Sequence, residues 1–385
     1  MRLAVVTPYF PTKEQAHRGH SAYQTLLHMQ REMEIFVVVP LATYPLWARP
    51  RNFHWVPNDL SFVAPGGLRA RYIEYPALPL ISRVCNGLVC RAAIARTVEE
   101  FGPDAILNYC IYPEGYAATR IGAKLGVPVI LGAIGSDLNR IPDRVSRWWT
   151  RRALAGASFV LTVSEHLRRQ AIAMGVPPDR SRRVLNGTDT GVFRLADRAI
   201  ARRELGLNLD ARIILYVGWL APTKGLGELM DAFLPLARQD ERLQAICIGD
   251  GPMRAEMERR AAEAGLSARL IFPGARPSQE IGRWLAACDI FCLPSWAEGC
   301  PNVVVEALAC GRPVVSTQVG GIPELVDSPE KGLLVPARDA GLLTEALGRA
   351  LSQPWDEAAI AARSARDWRD CARETIEICE RAVRR

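Results

Sequence analysis

Two glutamates separated by seven residues, Glu298 and Glu306 in EGCPNVVVE, are the residues of this chain whose type and spacing best suit chemistry. The run DIFCLPS before them reads as a strand and SWAEGCP as a loop punctuated by glycine and proline. Pro301 and Asn302 then start a helix that Gly311 stops, with Asn302 a favoured N-cap. Glu298 thus falls on a loop at the carboxyl end of a strand, and Glu306 lies one turn into the helix that follows. A helix start also offers free N–H groups and partial positive charge to an anion or a sugar oxygen. Ionised carboxylates accept strong hydrogen bonds from hydroxyls, so two at this spacing suit a ligand bearing vicinal diols. Taken singly, each has a plainer explanation: a loop charge for Glu298, a solvent-facing helix residue for Glu306.

The elements that must hold these side chains are short β-branched or Leu-rich runs alternating with helical stretches. They are RLAVVTP, EIFVVVP, DAILNYC, VPVILGAIG and SFVLTVS, then ARIILYVGW, LQAICIG, ARLIFPG, DIFCLPS, RPVVSTQ and GLLVP. Several are apolar throughout rather than alternating, as strands buried on both faces of a parallel sheet must be. The expectation is an α/β protein of two Rossmann-like, doubly wound parallel-sheet domains facing a cleft, since ligands collect at the carboxyl ends of such strands. The turn-rich and then basic stretch after Asn186 marks the boundary, giving domains 1–195 and 196–365. The tail 366–385 reads as a helix that either caps its own domain or crosses back onto the first.

A chain of 385 residues holds two or three domains at about 100 to 200 residues each. At 49% hydrophobic and 23% charged, it has no apolar run near the ~18 residues that a membrane-spanning helix needs. The four-residue run LAVV after Met1 and Arg2 is too short for a signal peptide and reads as a first strand, so the expected location is cytoplasmic. Ten scattered cysteines without zinc spacing read as small core residues. Forty-eight Lys and Arg against 41 Asp and Glu leave +7, an excess that suits phosphate ligands, an anionic membrane surface or nucleic acid without choosing among them. A dinucleotide fingerprint is absent, because GDGPMR has Arg254 at its third glycine position. A P-loop is absent as well, because Gly225 rather than Ser or Thr follows Lys224.

From Glu298 to Val315 the sequence closely resembles the retaining glycosyltransferases of family four, which have the GT-B fold. The resemblance rests on the two spaced glutamates followed by EALACGRPVV. It extends to VGWL with Lys224 and Gly225, GDGP from Gly249, FPG from Phe272, VGGIPELV from Val319, and VSEHLRRQAIAMGVP with VLNGTDTGVF between Val163 and Phe193. It implies that Glu298 binds donor-sugar hydroxyls, that Glu306 binds the nucleotide ribose diol, and that Lys224 contacts the donor diphosphate. It further implies donor contacts from Gly218, from the backbone of Gly299, Cys300, Pro301, Asn302 and Val303, and from Gly320 and Gly321, which either approach a phosphate or form a plain tight turn. The implied reaction moves a sugar from a nucleotide-sugar donor to a glycan or lipid-linked acceptor with retention of configuration. The donor is a substrate, so no cofactor is expected. No D-x-D tripeptide occurs and nothing calls for a metal.

The chain also departs from that family. Trp219 stands where an arginine usually follows the glycine, which removes one diphosphate cation, and Ile134 stands where many members have a histidine before Gly135, Ser136 and Asp137. Asp137 and Ser136 are acceptor-side candidates, with a turn-stabilising aspartate the alternative. So are Gly19 and His20, in place of the family's early Gly-Gly loop, with a solvated loop histidine the alternative for His20. These departures keep open a second reading, a non-catalytic sugar-nucleotide-binding or scaffold protein. The segment DRVSRWWTRRAL carries Arg144, Arg147, Arg151 and Arg152 with Trp148 and Trp149, and LATYPLWARPRNFHW precedes it. Together they read either as a peripheral surface for anionic headgroups on the inner face of a membrane or as a solvated basic helix with its tryptophans packed inside. No nucleic-acid motif is present.

Overall fold

The apolar runs become strands, most of them buried on both sides, and their order sets where the loops converge. The computed structural model describes residues 1–15, 18–45, 59–77, 85–141 and 143–384. The chain divides into two units, Met1–Leu185 with Trp368–Arg385, and Asn186–Asp367. In the first unit the strands are β1 (Arg2–Val6), β2 (Glu34–Thr43), β3 (Arg69–Pro76), β4 (Ala105–Asn108), β5 (Val129–Ala133), β6 (Phe159–Thr162) and β7 (Ser181–Arg183). They pair in parallel in the order β3-β2-β1-β4-β5-β6-β7. The connecting helices are α1 (His20–Met29), α2 (Asn86–Phe101), α3 (Tyr116–Leu125), α4 (Ser136–Asn139), α5 (Arg144–Ala155) and α6 (Glu165–Ala173).

The second unit repeats the plan with β8 (Arg212–Val217), β9 (Leu243–Ile248), β10 (Leu270–Gly274), β11 (Ile290–Leu293), β12 (Val314–Thr317) and β13 (Gly332–Val335). Their order is β10-β9-β8-β11-β12-β13, again parallel. Its helices are α7 (Arg198–Glu204), α8 (Leu226–Gln239), α9 (Arg254–Glu263), α10 (Ser278–Ala287), α11 (Asn302–Ala309), α12 (Ile322–Leu325), α13 (Ala340–Ser352) and α14 (Glu357–Ser364), and α15 (Trp368–Val383) closes the chain. In each sheet the winding reverses once, between β1 and β4 and between β8 and β11. The carboxyl edge at such a reversal is where open α/β sheets bind ligands.

Two strands were not anticipated. β3, RARYIEYP, alternates buried and open positions, as an edge strand does, and β7 is a basic three-residue piece. The boundary also lies ten residues earlier than expected, because residues 186–195 are tied to the second unit. Asn186 donates to the Cys300 carbonyl at 3.2 Å, Phe193 is buried, and Gly282 passes so close to the Val192 carbonyl that a Cβ would meet it at 2.6 Å. The tail splits at Asp367. Up to there it belongs to the second unit, with Thr188 N–H donating to the Arg366 carbonyl at 3.0 Å. From Trp368 on, α15 packs against α1 and puts Trp368, Ile376, Ile378 and Cys379 into the first unit's core beside Leu26, Met29 and Tyr109.

Cys85 is exposed and the other nine cysteines are buried. Among the described residues no group of His, Cys, Asp and Glu is arranged to hold a metal, and no helix is long and apolar enough to cross a membrane. Residues 46–55 of the apolar loop LATYPLWARPRNFHW lie outside the described residues.

Candidate active site

The loops after β8 and β11 flank the reversal of the second sheet, and they bring Lys224 and Glu298 together. Pro222–Lys224 is a single 3-10 turn leading through Gly225 into α8. Lys224 Nζ donates to Glu298 Oε1 at 2.6 Å, in an ion pair whose carboxylate side is 12% exposed and whose lysine side is 30% exposed. Gly225, at φ 70, lies where a Cβ would sit 1.9 Å from the Pro294 carbonyl, so only glycine allows the two loops to touch. Trp296 locks them a second time. Its backbone N–H donates to the Thr223 carbonyl at 3.0 Å and its indole N–H to Glu228 Oε1 at 2.9 Å.

The loop after β12 joins this pair through its glycines. Gly320, at φ 57, passes so close to the Glu298 carbonyl that a Cβ would fall at 1.9 Å, and Gly321 N–H donates to the Gly299 carbonyl at 2.8 Å. The pair of glycines therefore holds the Glu298 loop in place, and the Gly321 N–H is committed to protein rather than to a phosphate. Gly218, at a φ of 154 that favours glycine, receives the GDGP turn: Gly249 approaches until a Cβ would be 2.0 Å from the Gly218 carbonyl, and Leu220 N–H donates to Asp250 O at 2.8 Å. Trp219 leaves this strand end 56% exposed, while its carbonyl accepts from Tyr216 OH at 3.0 Å.

The N-cap of α11 falls one residue earlier than expected. Pro301, in extended backbone, takes the N-cap position without a side-chain cap, and Asn302 is the first helical residue. The Asn302 side chain is occupied elsewhere, since Oδ1 accepts from Asn186 Nδ2 at 2.7 Å. Asn186 thus ties the start of the second unit to the Cys300–Asn302 stretch, a task that the VLNGTDTGVF motif carried without revealing it. Val303 follows on the first turn and is half-buried. Glu306 is not solvent-facing but 8% exposed, and burial pushes its carboxyl up to about 7. The far end of α11 is clamped by Arg312. That fully buried guanidinium donates to the Cys310 and Cys288 carbonyls at 3.1 and 3.2 Å and pairs with Glu357 of α14 at 2.7 Å.

The first unit's candidates are placed differently. Gly19 is the N-cap of α1 at φ 66, pressed under the Tyr9 carbonyl, where a Cβ would fall at 2.0 Å. His20 sets its ring edge-on to Trp368 of α15, with centroids 5.9 Å apart. Ser136 opens the four-residue α4. Asp137 turns its Oδ1 back to accept from Ile134 N–H at 3.2 Å and Gly135 N–H at 2.9 Å, and burial pushes its carboxyl up to about 6. Glu114, which the sequence did not single out, is a buried carboxyl beyond β4 that accepts from Tyr75 OH at 3.1 Å. On α5, Trp149 stacks on Tyr112 at 6.0 Å and 17°, while Trp148 is half-exposed beneath the Arg152 guanidinium.

Two family descriptions match the chain, a glycosyl transferase 4-like domain over residues 12–187 and glycosyl transferases group 1 over residues 211–353. The chain belongs to the family-four type of glycosyltransferase, with the GT-B fold. Among similar proteins is the putative teichuronic acid biosynthesis glycosyltransferase TuaC of Bacillus subtilis (strain 168), 32% identical over 273 residues, which are 67% of this chain and 64% of that one. Another is a D-inositol 3-phosphate glycosyltransferase of Frankia alni, 33% identical over 269 residues, 65% of this chain and 66% of that one. The match thus spans just under two thirds of the length of either relative. In fold, the chain is similar to Anabaena Alr3699/HepE in complex with UDP, at TM-score 0.76 and 19% identity over 99% of this chain and 100% of the other. It is also similar to sucrose-phosphate synthase from Thermosynechococcus elongatus, at TM-score 0.74 and 20% identity over 99% and 98%.

Proposed function

We propose that the protein is a retaining glycosyltransferase that moves a hexose or related sugar from a nucleotide-sugar donor to an acceptor hydroxyl, without a metal ion. The observation that carries this reading is the Lys224–Glu298 pair at the reversal point of the second sheet, with Glu306 buried one helical turn beyond. Glu298 would accept hydroxyl bonds from the donor sugar, Glu306 would accept the ribose diol, and Lys224 would meet the departing diphosphate. The backbone of Gly299 to Val303 would approach the sugar. A fixed ammonium aimed at charge that develops on the leaving group is the kind of preorganised stabilisation that lowers a barrier most. In such a reaction the bond from the anomeric carbon to the phosphate oxygen breaks as the acceptor oxygen bonds on the same face. The departing phosphate oxygen takes the acceptor proton. Positioning and charge stabilisation then suffice without a protein nucleophile.

The setting we propose is surface polysaccharide, lipid-linked oligosaccharide or glycolipid assembly on the cytoplasmic side. TuaC is named for teichuronic acid biosynthesis, which supports a polymer or lipid-linked acceptor. Gly19, His20, Ser136 and Asp137 are the acceptor-side candidates. A peripheral contact with anionic lipid through α5 is supported by its four exposed arginines and half-exposed Trp148. Flotation with anionic but not neutral liposomes is the expected result, and failure with both removes the membrane contact.

The function is tested by thermal-shift screening against nucleoside diphosphates and nucleotide sugars, because a ligand that binds only the folded state raises Tm. UDP sugars come first, since HepE is known with UDP and with UDP-glucose bound. Donor hydrolysis or transfer in a metal-chelated buffer, with the product anomer read by NMR, is the expected outcome. Binding with neither reaction would point instead to a non-catalytic sugar-nucleotide-binding or scaffold protein, a reading that the exposed Trp219 in place of a cation keeps specific.

A further inference from the structure

Arg338 is the one residue other than glycine with a left-handed backbone among the described residues, at φ 66. It follows β13, on the same carboxyl edge that carries Lys224 and Glu298, and it directly precedes Asp339, whose side chain caps α13 by accepting from Leu342 N–H. A side chain with a Cβ is disfavoured at such an angle, and such positions persist where surrounding structure holds them, often at ligand clamps. Here the holding group is visible. The Arg338 guanidinium lies over the Trp296 ring at 4.3 Å from its centroid. Trp296 is itself pinned to Thr223 and Glu228, so it cannot turn away. The stack therefore fixes Arg338 to the same two loops that carry Lys224 and Glu298.

Charge adds a second reason. Lys224 is matched by the Glu298 carboxylate, and the end of β8 presents an exposed indole at Trp219 rather than a cation. Of the other arginines near this edge, Arg254 pairs with Glu258 and Arg276 with Glu280. Arg338 is exposed and makes no ion pair among the described residues. Stacking on the indole face uses the guanidinium plane and leaves the N–H fork at its rim able to donate.

Resting on the donor reading above, we propose that Arg338 supplies the second positive charge for the diphosphate of the nucleotide sugar, held ready by its stack on Trp296. Guanidinium against phosphate is a charge-assisted, two-donor contact, and its loss should weaken binding roughly tenfold or more.

Glycine at this position separates binding from folding, because it adopts φ 66 without strain. Arg338→Gly, Arg338→Lys and wild type are compared by calorimetric titration with UDP, ADP and GDP and by thermal unfolding. The expected result for Arg338→Gly is an unchanged or higher Tm together with a roughly tenfold weaker Kd for whichever diphosphate the wild type binds. Arg338→Lys should fall between, since it keeps the charge without the planar fork. Wild-type affinity in Arg338→Gly overturns the proposal, as does a fall in Tm with Kd unchanged, which would make Arg338 a brace for Trp296. If the wild type binds none of the three diphosphates, the donor reading itself fails and this inference falls with it.

Discussion

In the second unit the loops after β8, β11 and β12 are bonded to one another by the candidate residues themselves. In the first unit the candidates are each absorbed into their own surroundings. Lys224 reaches across to Glu298, Gly225 admits Pro294, and Gly320 admits the Glu298 backbone. By contrast, Gly19 serves the entry to α1, His20 leans on Trp368 of α15, and Asp137 ties its own turn and accepts from the Ile111 backbone. The difference teaches that charged residues on a ligand-binding edge signal a site when they bond to one another across loops, rather than to a backbone turn or to a packed ring. Chemistry that needs several groups at once requires the first arrangement.

The largest expected effect breaks the second-unit side of that comparison. Lys224→Ala and Glu298→Ala should each lower kcat/KM a hundredfold or more, on the order of 3 kcal/mol of transition-state stabilisation. Steady-state transfer or donor-hydrolysis rates check this, and full activity in both variants would falsify the site assignment.

Glu306 gives a pH signature of its own. Its folded carboxyl is raised to about 7 by burial, above the ordinary 4.5, so the folded state holds the proton more tightly than the unfolded one. Its contribution to stability is therefore full below about pH 4.5 and is lost as pH rises through about 7, an effect on the order of 3 kcal/mol at most. Glu306→Gln should flatten that part of the pH–stability curve in denaturant titrations. The same variant should raise the donor KM mainly at pH above 7, where the wild-type carboxylate is ionised.

Gly320→Ala sharpens the claim that loops are fused through glycine. A Cβ 1.9 Å from the Glu298 carbonyl, at a left-handed φ, should cost about 2 kcal/mol of stability and lower activity with it. Thermal unfolding with parallel rate measurement checks both, and loss of stability with activity intact would uncouple this loop from the site. The smallest effect belongs to the first unit. His20→Ala removes one edge-on ring contact and should cost about 0.5–1 kcal/mol with donor KM unchanged. A large rise in acceptor KM would instead place His20 among the binding residues.

Much of this was legible in the chain. Strands announce themselves as continuous apolar runs, most of them buried on both faces, which is why β1, β2, β4 to β6 and β8 to β13 could be marked, the half-buried edge strand β10 among them, and why the alternating edge strand β3 and the basic β7 could not. The spaced glutamates and Lys224 were legible because the motif keeps their types at fixed intervals. Glu306 as a buried group was not. Its depth depends on how α11 seats against the sheet, and that seating is set by Arg312 reaching Glu357 forty-five positions on.

The amino-acid order alone determined the α/β alternation, the two successive sheets and the family, because periodicity and motif spacing are properties of neighbouring residues. Tertiary structure alone decided that Lys224 meets Glu298, that Gly320 and Gly321 hold a loop, that Asn302 yields the cap to Pro301, and that the chain returns at Trp368 to finish the first core. Each of those outcomes depends on two segments far apart along the chain arriving within a few ångströms of one another. Sheet order and close backbone packing, rather than local propensity, bring them there.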